Sequence, residues 1–313
     1  MPDKLPVSIV TGFLGSGKTT LLSALLRHPA MGETAVIVNE LGEVGIDHHL
    51  LRRVDERTVL LPSGCLCCSL RGDLADELRD LLSRRTRGEI PPFRRVVLET
   101  TGLADPAPIV NTLLAEPVVK HHYEPERVIA TVDAVHGLRQ PESVKQAAAA
   151  DRLVVTKTDL ADAGELEARL RALNPAAEIL EVSFGEVDPE LVFGGNAPDL
   201  REPVPEVRHE HDGVVAHSLL FDEPLDWTAF GIWLTMLLQA RGNEILRVKG
   251  LLDVGGEGPL LLNAVQHVVH PPEHLEAWPD EDRRSRIVFI GRNLAEQPLR
   301  ASLAAFNRLG GAA

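Results

Sequence analysis

A glycine-rich segment near the start of the sequence has residue types that could bind phosphate. Residues 12–20, GFLGSGKTT, match the pattern G-x-x-x-x-G-K-[ST]. The strand candidate Val7–Thr11 precedes the segment, and leucines at helical spacing follow it. Glycines let backbone N–H groups turn inward around a phosphate, and the first turn of a helix adds partial positive charge. The context therefore predicts a phosphate-binding loop, with a plain glycine turn as the alternative.

Side chains in and beyond this loop have separate expected roles. Lys18 should reach the β- and γ-phosphates of a nucleotide, and the Thr19 hydroxyl should take one position on Mg²⁺. Glu99 ends an apolar strand candidate, where a carboxylate can hold Mg²⁺ through water. Gly102 would let its N–H approach the γ-phosphate. The candidate catalytic residues are thus Lys18, Thr19 and Glu99, and the nucleotide-binding candidates in the loop are Gly12, Gly15, Ser16, Gly17, Lys18, Thr19 and Thr20.

A second polar segment, Thr156-Lys157-Thr158-Asp159, follows another apolar run and could select the base. Guanine presents N1–H and N2–H side by side, and one carboxylate can accept from both, whereas adenine has no such pair of donors. Asp159 is the candidate acceptor, and the stem of Lys157 would cover the ring. Thr156 stands where the usual guanine motif has asparagine. Ser183 is the candidate in a second base-contacting loop, and the pattern favours guanine over adenine.

All three cysteines lie within five residues, as Gly64-Cys65-Leu66-Cys67-Cys68. They follow a strand candidate, and in an open α/β sheet that edge forms the ligand crevice. Thiolates favour Zn²⁺ or Cu(I), and three of them leave one coordination position for exchange. We therefore predict a metal site at Cys65, Cys67 and Cys68, with buried small side chains or a redox relay as alternatives.

The acidic, glycine-containing segment 39–47, NELGEVGID, follows the second strand candidate. Its position could depend on the nucleotide. Glu40 could supply a fourth, oxygen ligand to the thiolates or contact the magnesium. A solvated acidic loop is the alternative for this segment.

The order of elements predicts two domains. Over the first two-thirds of the chain, β-branched runs alternate with helical patterns, which indicates an α/β fold with a mostly parallel, doubly wound sheet. After a segment rich in proline, glycine and charge, strand candidates follow one another, which indicates an α+β domain with an antiparallel or mixed sheet. The expected organisation is a P-loop NTPase domain, a linker and a smaller C-terminal domain, at residues 1–200, 201–213 and 214–313.

Four strand candidates and two helix candidates are expected in this C-terminal domain. Three of the strands are Val214–Phe221, Glu244–Val254 and Arg286–Gly291, and the helices are Asp226–Arg241 and the stretch from Ala295 to Leu309. A further strand is expected over Leu260–His270, and alternation along it would place its two histidines, His267 and His270, on opposite faces.

Composition narrows the classes of function. The 313 residues are 44% apolar and 25% charged, which suits about two packed domains. Thirty-two basic against 46 acidic side chains give a net charge of −14, which argues against nucleic-acid binding. The most apolar stretch, Trp227–Ala240, is too short and too mixed to span a membrane. Crowded, unpaired cysteines and a start without a secretory pattern lead us to expect a cytoplasmic protein.

In combination, these motifs resemble the CobW-type P-loop GTPases, which are regarded as metallochaperones or metal-insertion proteins. The resemblance implies slow, Mg²⁺-dependent GTP hydrolysis coupled to Zn²⁺, with Co²⁺ or Fe²⁺ as alternatives. It also implies transfer of the ion to a client metalloprotein, and it is compatible with a homo-oligomer. The histidine-rich tract of some relatives is reduced here to His209 and His211. The segments that carry the resemblance are residues 12–20, 39–47, 64–68, 99–106, 156–159, 246–250 and 285–290.

Two other functions stay open at this point. The first is a P-loop kinase that phosphorylates a small acceptor, for which hydrolysis without an acceptor would be contrary evidence. The second is a nucleotide-binding module whose thiols sense redox state or metal. If the thiols sense only redox state, Cys67→Ser would leave the metal content unchanged.

Overall fold

The computed structural model describes most of the chain, namely residues 4–39, 59–63, 72–194 and 213–310. The chain divides into two compact units, Met1–Glu167 with Glu178–Asn196, and Ala168–Ala177 with Ala197–Ala313. The expected linker, residues 201–213, lies outside the described residues except at Gly213, so the predicted domain boundaries stay predictions. No helix in the described ranges is long and apolar enough to cross a membrane.

A seven-stranded sheet forms the centre of the first unit, in the order β3-β2-β4-β1-β5-β6-β7, and the described strand pairs are all parallel. The strands are β1 (Leu5–Gly12), β2 (Thr34–Asn39), β3 (Val59–Ser63), β4 (Arg95–Glu99), β5 (Tyr123–Asp133), β6 (Arg152–Thr156) and β7 (Glu178–Val182). This order confirms the doubly wound α/β fold.

The helices that the structure describes before residue 195 alternate with these strands. They are α1 (Lys18–Leu25), α2 (Gly72–Thr86), α3 (Ala107–Ala115), α4 (Val119–His122), α5 (Pro141–Ala149), α6 (Gly164–Leu173) and α7 (Pro189–Phe193). Every residue of β6 is buried, as expected for a strand covered on both faces. The leucines of α1 pack with Val10, Val97 and Val154 of the sheet in one core cluster.

The second unit contains an antiparallel sheet in the order β11-β10-β9-β13-β8, with β12 paired to β10. Its elements are β8 (Val214–Phe221), α8 (Trp227–Arg241), β9 (Ile245–Leu252), β10 (Leu260–Val265), β11 (Val268–Val269), β12 (Glu273–His274), β13 (Ser285–Arg292) and α9 (Glu296–Gly310). Asp226 caps α8, because its carboxylate accepts a hydrogen bond from the Ala229 N–H at 3.0 Å. Buried Trp233 on α8 contacts the ring of Phe289 on β13 and donates to Ser302 Oγ at 2.9 Å.

The prediction of one strand over Leu260–His270 was wrong. The strand ends at Val265, and β11 returns antiparallel with Val265 paired to Val268. Gln266 turns the chain with a φ of 52°, a conformation that few side chains other than glycine and asparagine favour. Since His267 lies in the turn and His270 follows β11, alternation along a single strand does not describe the two histidines.

Candidate functional site

The phosphate-binding loop joins the end of β1 to the start of α1, as the sequence predicts. Gly12 has a φ of 143°, and a Cβ at this position would overlap both the side chain and the carbonyl of Thr131. Only glycine therefore lets the loop leave β1 so close to β5. Lys18, at the first position of α1, is buried and donates to the carbonyls of Gly12 at 2.8 Å and Phe13 at 3.2 Å.

Buried hydroxyl groups fix the loop to the neighbouring strands. Ser16 Oγ lies 2.6 Å from Thr131 Oγ1 on β5, and Thr131 Oγ1 donates to the Thr11 carbonyl at 3.3 Å. Thr100 Oγ1, just after β4, donates to Thr11 Oγ1 at 2.9 Å. The Ser16 side chain is thus bonded to the scaffold, so its contribution to phosphate binding would come from its backbone.

Thr19 and Glu99 come together at the mouth of the loop. Strands β1 and β4 are paired in register, with Val10 beside Glu99, which brings the end of β4 alongside α1. Thr19 Oγ1 donates to Glu99 Oε1 at 2.7 Å, and Glu99 is only 5% exposed. A hydroxyl and a carboxylate oxygen in one small space are the hard donors that Mg²⁺ prefers.

The turn after β4 lies against the loop. A Cβ on Gly102 would meet Leu14 N at 2.5 Å, so the missing side chain allows this close approach. Ala104 N–H donates to the Thr101 carbonyl at 3.1 Å and closes the turn. Gly102 is therefore placed beside the phosphate-binding loop, as its expected role requires.

A cavity of about 240 Å³ opens beside the loop, at the ends of β6 and β7. Its lining includes Gly17 of the loop, Lys157 and Asp159 after β6, and Phe184 after β7. The Asp159 side chain is exposed at this cavity. The structure thus brings five predicted nucleotide-binding residues together where a base attached to a loop-bound phosphate could lie, namely Gly17, Thr20, Thr156, Lys157 and Asp159.

Thr156 and Ser183 contact other parts of the protein. Thr156 Oγ1 donates to the Ser16 carbonyl at 2.7 Å, so its hydroxyl secures the phosphate-binding loop. Ser183 Oγ lies 2.7 Å from Thr158 Oγ1 and ties the two base-side loops together. Thr156 lines the cavity and Ser183 directly precedes Phe184, which also lines it, but both hydroxyl groups are bonded within the scaffold.

Two residues near the cavity were missed by the sequence reasoning. Phe184 lines the cavity with a side chain that is 70% exposed, and its φ of 55° is unusual for a bulky residue. Asp133, at the end of β5, is buried, and its Oδ2 lies 3.5 Å from Lys157 Nζ. An aromatic residue directly after Ser183, in the expected second base-contacting loop, is a usable sequence signal for Phe184. The contact of Asp133 depends on strand order, which local sequence does not encode.

The predicted metal ligands Glu40, Cys65, Cys67 and Cys68 lie outside the described residues. Across the ranges that are described, no group of three or more His, Cys, Asp or Glu side chains could hold a metal ion. The strands that precede Glu40 and the cysteine segment are described, and they fix where each of these segments begins. Strands β2 and β3 are parallel, with Asn39 paired to Ser63, so both segments leave the same edge of the sheet from neighbouring positions.

Comparisons with known proteins agree with this architecture. Residues 6–181 match the model of the CobW/HypB/UreG nucleotide-binding domain, and residues 214–307 match the C-terminal domain of the cobalamin synthesis protein cobW. Zinc chaperone YjiA of Escherichia coli is 36% identical over 98% of this chain and 100% of that protein. Zinc chaperone CobW of Pseudomonas aeruginosa is 33% identical over 93% of this chain and 88% of that protein.

A zinc-regulated GTPase metalloprotein activator 1 of Schizosaccharomyces pombe is 26% identical over 93% of this chain and 83% of that protein. The crystal structure of Zn(II)-bound YjiA GTPase from E. coli superposes with a TM-score of 0.75 at 31% identity. That superposition covers 97% of this chain and 99% of that one. With both domain models matched and a phosphate-binding loop at the predicted position, the chain belongs to the CobW family of P-loop GTPases.

Proposed function

We propose that this GTPase is a cytoplasmic metallochaperone that binds Zn²⁺ through Cys65, Cys67, Cys68 and Glu40 and transfers the ion to a client metalloprotein. GTP binding closes the metal site, and hydrolysis opens it. The names of the relatives, zinc chaperone and zinc-regulated metalloprotein activator, support this assignment. Free thiols close together in sequence also suit a reducing compartment.

The observation that carries the nucleotide half of the proposal is the contact between Thr19 and Glu99. Their oxygens, 2.7 Å apart beside the buried Lys18, are a donor set that fits Mg²⁺. When bound there, Mg²⁺ would neutralise charge on the β- and γ-phosphates. Lys18 binds the same phosphates as a point charge, and backbone N–H groups of residues 12–20 surround them. Gly102 faces the terminal phosphate from the turn after β4.

The base lies in the cavity at the ends of β6 and β7. Asp159 accepts from N1–H and N2–H of guanine, and Lys157 covers one face of the ring. Asp133 supports this position of Lys157, because its carboxylate lies 3.5 Å from the ammonium group. Phe184 offers an exposed aromatic surface at the same cavity.

Hydrolysis by this chain alone should be slow. The residue after Gly102 is Leu103, so no glutamine stands next to the magnesium strand to orient the attacking water. A slow intrinsic rate suits a protein whose bound nucleotide acts as a timer for metal release.

The order of the strands supports coupling between nucleotide and metal. Glu99 of β4 pairs with Val38 of β2, and Asn39 of β2 pairs with Ser63 of β3. Two strand spacings of about 4.8 Å each therefore separate Glu99 from the point where the cysteine segment begins, a distance of roughly 10 Å. Glu40 follows Asn39 directly. A movement of the segment after β2 in response to the γ-phosphate would thus be transmitted to Glu40 and to the neighbouring cysteine segment.

Zn²⁺ affinity in two nucleotide states tests the proposal. Competition with a chromophoric chelator, in Mg²⁺ with either GDP or the nonhydrolysable analogue GppNHp, should show Zn²⁺ bound at least tenfold more tightly with GppNHp. Cys67→Ser should weaken Zn²⁺ binding in both states. The double variant His209→Ala/His211→Ala, which removes the two histidines that remain of the histidine-rich tract, should bind like the original protein.

Two results would contradict the proposal. The first is equal Zn²⁺ affinity in the two nucleotide states together with equal GTP hydrolysis in the presence and absence of Zn²⁺. The second is unchanged metal content in Cys67→Ser, which would favour a sensing module. Phosphate release without any added acceptor also separates the GTPase from a kinase.

A further inference from the structure

A buried glutamine on α5 contacts the turn after β4. Gln146 is 1% exposed, and its Nε2 donates to the carbonyls of Gly102 at 3.1 Å and Ala104 at 3.0 Å. Both hydrogens of one amide group are thus used on two carbonyls of the same turn. These carbonyls lie on either side of Leu103, which is 50% exposed.

The chemistry of the two carbonyls fixes the orientation of this amide. Each one needs a donor, and a reversed amide would place Oε1 against both carbonyl oxygens. In the observed orientation, Gln146 Oε1 is buried and meets no donor among the described residues. A buried acceptor without a partner is unfavourable by about 1–3 kcal/mol. The hydrogen bonding of the Gln146 side chain alone therefore does not explain this arrangement.

The turn also lies against the phosphate-binding loop. A Cβ on Gly102 would meet Leu14 N at 2.5 Å, so the backbone at Gly102 is close to the loop and is bonded to the amide of Gln146. Loss of the Gln146 amide would remove two hydrogen bonds that hold the turn in this position.

Helix α5 also leads directly to the base side of the nucleotide site. The chain passes from α5 through Asp151, whose N–H donates to the Val128 carbonyl at 2.7 Å, into β6. Strand β6 ends at Thr156, which secures the phosphate-binding loop, and Lys157 and Asp159 follow. The continuous segment from Gln146 to Asp159 therefore contacts the turn 102–104 at one end and the base cavity at the other.

We propose that Gln146 is a positioning residue for GTP hydrolysis: it holds the turn 102–104 so that the Gly102 N–H faces the γ-phosphate. This inference rests on the role proposed above for Gly102. Gln146 touches neither the phosphate nor water in this scheme and acts only through the turn. Substitution of Gln146 should therefore weaken the binding of nucleotides that have a γ-phosphate and leave the binding of GDP, which lacks one, unchanged.

Substitutions at Gln146 separate this role from a general role in stability. Gln146→Met keeps the length of the side chain and removes both donors, whereas Gln146→Glu places a carboxylate beside two carbonyls. We expect either variant to lower kcat for GTP at least tenfold and to weaken GppNHp binding, while the Kd for GDP stays within twofold. Ser143→Ala is the matched control, because Ser143 Oγ donates from the same helix to a carbonyl away from the turn, that of Gly137, at 3.2 Å.

The outcomes distinguish failure of this inference from failure of the role given to Gly102. If Gly102→Ala slows hydrolysis and the Gln146 variants do not, Gln146 has no positioning role. If the Gln146 variants weaken the binding of GDP and of GppNHp equally, the residue has only a structural role, and the inference is again wrong. If Gly102→Ala and both Gln146 variants all hydrolyse GTP normally, the proposed contact of Gly102 with the γ-phosphate fails, and the present inference fails with it.

Discussion

Replacing Asp159 by asparagine tests how this GTPase selects its base. The carboxylate accepts from two donors of guanine, whereas an asparagine amide offers one acceptor and one donor. Xanthine has a carbonyl oxygen where guanine has its amino group, so its N1–H and O2 match the amide. Asp159→Asn should therefore weaken the binding of guanine nucleotides and strengthen the binding of xanthine nucleotides.

The size of the effect follows from the exposure of the side chain. Hydrogen bonds to charged groups contribute about 1.5–3 kcal/mol each. Asparagine keeps an acceptor for N1–H but presents its own N–H to the amino group, so one of the two bonds is lost. Because Asp159 is exposed, the lower value of about 1.5 kcal/mol applies to that bond. Since 1.4 kcal/mol corresponds to a factor of ten, the Kd for GDP should rise about tenfold. The Kd for XDP should fall by about tenfold, because a repulsive oxygen–oxygen contact is replaced by a hydrogen bond.

Fluorescence titration with labelled GDP and XDP measures both constants without interference from hydrolysis. Asp162→Asn is the control, because it makes the same chemical change three residues further on. The Asp162 carboxylate accepts from the Gly164 N–H at 3.0 Å, a turn hydrogen bond whose acceptor an asparagine side chain also supplies. The reasoning is refuted if Asp159→Asn binds GDP within threefold of the unmodified protein, or if its preference for XDP does not increase.

Two further predictions concern aromatic residues. Phe184→Ala should raise the Kd for GDP and for GppNHp by the same factor, about fivefold, because stacking on a base contributes about 1 kcal/mol or more; unequal factors in the two titrations would contradict stacking. Burial raises the pKa of the Tyr123 phenol, whose hydroxyl donates to the Leu78 carbonyl at 2.9 Å. This contribution to stability is complete below the unfolded-state pKa of about 10 and is lost at higher pH. In urea unfolding, Tyr123→Phe should therefore cost about 1 kcal/mol at pH 7, with the difference shrinking above pH 10; a constant difference is the contrary result.

Local sequence predicts the phosphate-binding loop and the fold class because both depend on residues close together in the chain. The glycines, lysine and threonine of residues 12–20 need fixed spacing between a strand and a helix, and this spacing is visible in the sequence. Alternating strand and helix patterns likewise imply the parallel sheet. The end of β10 was missed because Gln266, where the chain turns, is not a residue typical of turns.

Contacts between distant segments could not be predicted in the same way. Thr156 was expected near the base, but its hydroxyl bonds to the carbonyl of Ser16, 140 positions earlier in the chain. Gln146 gave no signal, because a single glutamine in an alanine-rich helix has no local pattern that indicates a partner 44 positions away. Both contacts follow from the order of strands in the sheet, which becomes known only with the fold.

The hydroxyl bonds around the phosphate-binding loop have a consequence for how the protein meets changing solution conditions. Serine and threonine carry no charge at any physiological pH, so acid, base and added salt have little effect on bonds such as those between Ser16 and Thr131 or Thr100 and Thr11. The pocket therefore keeps its shape across conditions in which the attraction between Lys18 and a phosphate is screened. Ionic strength should therefore change the association rate and the affinity of the nucleotide, while the geometry of the binding pocket stays the same.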